Sequence, residues 1–139
     1  AGPGGEALQA LLHVDTIGEL RQFYSVADAA FIGATLCPIG GHNPFEAAEF
    51  GVPVFHGPWT ANVADAVAAL AEHGGGFRVA DGRALGHAIA TLLGAERAGA
   101  QAAAGALRAA DALGGAVDRT LAALASWGMA LEREPAGGP

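Results

Sequence analysis

The stretch Gly40–Pro58, GGHNPFEAAEFGVPVFHGP, holds a loop, a helix and a strand in immediate succession. Asn43 is a good N-cap residue, Pro44 suits the first helical position, and Glu46 falls where a capping box places its carboxylate. Gly51 stops the helix, and the short apolar run VPVFHG (52–57) reads as a buried strand. Upstream, AAFIG (Ala29–Gly33) is a second buried strand, joined to the helix by the loop ATLCPIGGHN. Before it, ALLHVD (Ala10–Asp15) predicts a strand, and TIGELRQFYSVA (16–27) a helix with Leu20, Phe23, Tyr24 and Ala27 at helical spacing.

Downstream, ANVADAVAALAEHGGG (61–76) predicts a helix with Val63, Val67 and Leu70 inward and a glycine run at its end. FRVAD (77–81) is a last strand, and three helices follow over 82–94, 95–115 and 116–134. One domain over 1–134 with a disordered tail at 135–139 accommodates all of these. Short apolar strands alternating with helices predict a Rossmann-like α/β fold, a parallel sheet with helices on both faces. In such sheets ligands bind at the carboxyl ends of the strands.

Composition narrows the ligand. Of 139 residues 52% are hydrophobic, enough for a core, yet no apolar run reaches membrane-spanning length. The segment by itself therefore reads as soluble, and its opening residues lack the pattern of a signal peptide. The net charge is −7, lysine is absent and the seven arginines form no stripe, which argues against nucleic acid. A single phosphate differs, because backbone N–H groups can hold it without cationic side chains. Cys37 is the one cysteine, so an internal disulfide is excluded. The five histidines lack metal-ligand spacing and no nucleophile elbow is present, so neither a metal nor a cofactor is expected.

Two strand-exit turns carry the candidate chemistry. Thr16 with Glu19, and Asn43 with Glu46, each have the spacing of a capping box. A carboxylate at a helix start can also accept hydrogen bonds from the paired hydroxyls of a ribose. Gly40 and Gly41 would admit close backbone approach, making them, with Thr35 of the preceding loop, candidate phosphate contacts. Capping alone and a nucleotide grip both fit these residues.

The order and spacing of Asp-Thr-x-Gly-Glu-Leu, Ala-Asp-x-Ala-Phe-x-Gly, Gly-Gly-His-Asn-Pro-x-Glu and Gly-Pro-x-Thr-x-Asn over Val14–Asn62 are specific as a set. In them the chain resembles the C-terminal domain of the 3-deoxy-D-manno-octulosonic acid (Kdo) transferases, and weaker similarity extends to about Leu124. The resemblance implies the C-terminal half of a GT-B glycosyltransferase, truncated on its N-terminal side. It implies CMP-Kdo as donor, a lipid A precursor as acceptor in lipopolysaccharide assembly, and a full-length protein at the cytoplasmic face of the bacterial inner membrane. By the same resemblance Ile17, Gly18, Glu19, Asn43, Pro44, Phe45 and Glu46 contact the CMP. The family's glutamate base and Pro-Arg nucleotide contact lie upstream of these motifs, so no catalytic residue is expected here and the segment alone is expected to be inactive. Many members have Gly-Gly-Ser at Gly33-Ala34-Thr35 and His at Trp59. A different nucleotide sugar, or a non-catalytic interaction domain whose acidic turns are only caps, are the alternatives.

Topology adds one expectation. In the doubly wound order the strand at Ala10–Asp15 would be strand three, with strands one and two absent. An open central edge should then be closed, either by moving that strand inward or by pairing with a second chain in a dimer.

Overall fold

A computed structural model of the protein describes residues 12–15 and 17–127, with the backbone alone described at 116–121. Three parallel strands, β1 (Ala30–Phe31), β2 (Val54–His56) and β3 (Gly76–Arg78), lie in the order β1-β2-β3. Ala30 stands opposite Val54, and Phe55 opposite both Phe31 and Phe77. Side chains alternate across a strand, so neighbouring residues enter different cores. Val54 joins Ile32, Ala47, Ala48, Val52 and Leu70 on one face. Phe55 joins Val79, Leu92 and Ala102 on the other, stacked on Phe77 with ring centroids 5.1 Å apart.

The helices cover both faces. α1 (Leu20–Tyr24) precedes the sheet, α2 (Phe45–Glu49) links β1 to β2, and α3 (Ala64–His73), entered through a 3-10 turn at Ala61–Val63, links β2 to β3. α4 (Gly82–Leu93) and α5 (Glu96–Ser126) follow. Asp81 caps α4, its carboxylate accepting from Ala84 N–H at 2.8 Å. α3 ends as its glycine run predicts: Gly74 has φ +77, and Gly75 N–H donates to Leu70 O at 2.8 Å. α5 buries Ala102, Ala106, Ala109 and Ala110, a narrow stripe of small residues at helical spacing. Its Gly105 lies against the His73–Gly75 backbone, where a methyl would meet Gly74 C at 2.7 Å.

Several expectations fail. Residues 12–15 form no strand, and Leu12 is 74% exposed. A strand gains its stability from a neighbour, and among the described residues none lies beside this segment. Among the described residues the sheet is not rearranged to bring it inward, the first of the two expected ways of closing the edge, and β1 lies at the edge of the three strands. The helix predicted over 16–27 shrinks to Leu20–Tyr24, because Gly18 at φ +89 cannot continue a right-handed helix. At its other end, Ser25 Oγ donates to Gln22 O at 2.6 Å, a local bond that competes with the helix.

The helices predicted over 95–115 and 116–134 are instead one, α5, as far as Ser126. Gly114 and Gly115 stay in it without positive φ. Each glycine costs about 1 kcal/mol relative to alanine, but no proline or cap follows to end the helix. Ala10, Leu11, Thr16, the end of the last predicted helix and the tail at 135–139 lie outside the described residues.

Candidate ligand site at the carboxyl edge of the sheet

The connections that leave β1 and β2 run side by side and are stitched together. Thr35 forms the base of the seam. Its hydroxyl donates to Ile32 O at 2.6 Å and accepts from Gly57 N–H at 2.8 Å, and its carbonyl accepts from Trp59 N–H at 3.0 Å. Gly57 has no room for a side chain, since a methyl there would run into the Thr35 carbonyl. Nearer the surface, Asn62 Nδ2 donates to Ile39 O at 3.2 Å and Asn62 N–H donates to Gly40 O at 3.1 Å.

The glycine pair serves this closure. Gly40 has φ +109, and a methyl on it would lie 2.5 Å from Asn62 Nδ2. Gly41, at φ +86, would clash with the Thr35 methyl at 2.8 Å, and its N–H donates to Ala34 O at 3.0 Å. The expected close approach is therefore to the chain's own second loop. Thr35 must be withdrawn as a phosphate contact: its residue is 0% exposed and its one proton is committed to Ile32. The Gly41 N–H is likewise occupied. Gly40, also buried, borders a cavity of ≈ 360 Å³ with Pro38, Ile39, Trp59 and Thr60.

A larger cavity, ≈ 650 Å³, opens beside it. Asn43 and Phe45 line it together with the 3-10 turn and the start of α3, including Asn62 and Asp65, and with Leu113 and Gly114 of α5. Ala61 and Ala64 line both cavities, so the two adjoin. Asn43 Oδ1 accepts from Phe45 N–H at 3.0 Å, so its side chain bonds to the helix start although the N-cap position expected for it falls to Pro44. The helix proper starts at Phe45, with buried Pro44 at its N-cap position, which places Glu46 in the first turn but one position earlier than a capping box requires.

The first strand-exit turn is placed differently. Ile17 is fully exposed, and Gly18 and Glu19 are surface residues. Glu19 stands at the N-cap position of α1 rather than inside the helix. The cavities of ≈ 650, ≈ 520, ≈ 430 and ≈ 360 Å³ are lined by neither Glu19 nor Glu46. What α1 does bring to α2 is Arg21 and Tyr24. Arg21 Nη1 donates to Glu49 Oε2 at 2.8 Å and its guanidinium lies 5.1 Å over the Phe50 ring. Tyr24 packs on Phe50 at 6.4 Å, and its phenol pKa is raised, first by burial and then by the Glu46 carboxylate. Each of these helices has five residues, so neither supplies the strong dipole end that a long helix would.

Thr60 and Asn62 are of residue types that commonly cap helices. Neither forms a side-chain cap in the structure, and Asn62 instead binds a loop 23 residues away. Its place in the Gly-Pro-x-Thr-x-Asn motif was the available signal. Among the described residues no group of three or more His, Cys, Asp or Glu could hold a metal ion.

The chain is a three-stranded parallel α/β unit of the open-sheet type, with adjoining cavities at the βα loops where such sheets place their ligands. No protein-family model matches the chain. It is 40% identical over 129 residues to the 3-deoxy-D-manno-octulosonic acid transferase of Bordetella pertussis, covering 91% of this chain and 29% of that protein. Against the transferase of the same name from Aquifex aeolicus it is 42% identical over 66 residues, 48% of this chain and 19% of that one. Its fold is similar to the crystal structure of the C-terminal CMP-Kdo binding domain of WaaA from Acinetobacter baumannii, with TM-score 0.65 and 27% identity over 69% of this chain and 50% of that one. The chain is a homologue of the 3-deoxy-D-manno-octulosonic acid transferases and matches the C-terminal domain of one of them in fold. It spans less than a third of the length of the two transferases compared.

Proposed function

We propose that this chain is the donor-binding part of a Kdo transferase and holds CMP-Kdo at the carboxyl edge of its sheet. The observation that carries the reading is the fold likeness to a CMP-Kdo binding domain, combined with 40% identity through 91% of the chain. Asn43, Phe45 and Glu46 form the central contact, with buried Pro44 fixing the turn beneath them and the Glu46 carboxylate accepting from the ribose hydroxyls. Ile17, Gly18 and Glu19 close over the nucleotide from the surface turn, and Gly40 lies toward the phosphate.

In the whole enzyme the acceptor hydroxyl attacks the anomeric carbon of Kdo as the bond to the cytidylate phosphate breaks and CMP leaves. The hydroxyl proton passes to a base outside these 139 residues, so the segment alone does not turn over. Metal is not required. The acceptor is a lipid A precursor at the cytoplasmic face of the inner membrane, reached through other parts of the protein. Within the described residues no helix is long and apolar enough to cross a membrane.

Titration calorimetry with CMP, UDP and ADP tests the reading. CMP is expected to bind most tightly; equal binding of all three would favour another nucleotide sugar, and heat from none would remove the donor-binding role.

A further inference from the structure

We propose that Asn62 is a positioning residue for the donor, locking the Ile39–Gly40 turn against the start of α3 so that Asn43 and Phe45 are presented to the larger cavity in one fixed geometry. The inference rests on the donor-binding reading and adds to it a residue with no capping role. Three observations converge on it. One residue grips two successive carbonyls, Ile39 O through its side chain and Gly40 O through its backbone, from across the seam. The position it grips is a glycine with φ +109 whose missing side chain is replaced by the Asn62 amide itself. And Asn62 also lines the larger cavity, together with Asn43 and Phe45.

The two stitches of the seam have different characters. Thr35 is buried, and its bonds hold the fold together whatever is bound. Asn62 is exposed, where a hydrogen bond adds little to global stability because water competes for both partners. A bond of that kind has its effect on local order: it removes conformations of the 36–43 loop that the ligand would otherwise have to freeze out on binding.

Asn62→Asp is the test. It keeps the size and turns the oxygen of a carboxylate toward Ile39 O, where the wild-type amide donates. The readouts on the 139-residue chain are amide hydrogen exchange at Gly41, CMP affinity by calorimetry, and the thermal midpoint. Exchange at Gly41 is expected to accelerate and CMP affinity to fall by roughly tenfold, with the midpoint nearly unchanged. Gly40→Ala, whose methyl displaces the Asn62 amide, should give the same loss of affinity. If wild type binds CMP and Asn62→Asp binds it equally, or if affinity falls only as the protein unfolds, the inference is wrong while the donor reading stands. If wild type does not bind CMP, both are wrong.

Discussion

The turns at 17–19 and 39–46 were built from the same vocabulary, a glycine followed by a glutamate at a helix start, yet the structure treats them oppositely. The second is tied to a neighbouring loop by Thr35 and Asn62 and borders two cavities. The first stands on the surface with Ile17 fully exposed and no strand behind it among the described residues. Identical residue types become a formed site only where the sheet supplies a floor and an adjacent βα loop supplies a wall. A turn without those supports can contribute to a ligand only by closing onto it.

Substitutions in the tied region should hurt most. Gly57→Ala drives a methyl into the Thr35 carbonyl, so the loops must part, and a loss of about 3 kcal/mol is expected in chemical denaturation. Thr35→Val leaves the buried Gly57 N–H and Ile32 O without a partner, at about 1–3 kcal/mol each. A ligand contact at Thr35 would show instead as lost CMP affinity in a protein of wild-type stability. Glu46→Gln removes the charged acceptor proposed for the ribose, so CMP affinity should fall by about ten- to a hundredfold with little change in stability. Unchanged affinity would reduce Glu46 to a residue of the first helical turn.

The loosely held region should respond weakly. Arg21→Ala removes an exposed ion pair and a contact over Phe50, which together contribute about 0.5–1 kcal/mol. The link between the regions is Tyr24, whose raised pKa reports both its burial and Glu46. A neutral phenol is favoured in the folded state, so its stabilising effect is complete below the ordinary value of 10.0 and is lost as pH rises through the raised folded value. Ultraviolet titration of the phenolate should show the Tyr24 value dropping part of the way toward 10.0 in Glu46→Gln. No movement would mean that the carboxylate does not reach the phenol.

The sequence carried the architecture further than the site. Strand–helix alternation, the Gly51 and Gly74 helix stops and the Asn43 side-chain bond follow from local chemistry, and all are present. The segment at 12–15 has a strand's composition but lacks a strand's neighbour, which no local pattern reveals. Gly114-Gly115 reads as a break by propensity alone, which takes no account of the alanine-rich stripe that packs α5 on α2 and α3. The glycines at 40 and 41 suggest close approach of a ligand, and in the structure it is Asn62 and Thr35 that lie against them. Pairing of that kind is long-range, and residue spacing cannot show which loop will lie against which.

The most direct test of nucleotide binding at the stitched loops is to titrate CMP into isotopically labelled protein and follow the backbone amide resonances. The account predicts perturbations concentrated at 43–46 and 61–65, with smaller ones at 17–19. Perturbations confined to α4 and the far end of α5, with the 43–46 and 61–65 amides unmoved, would contradict it.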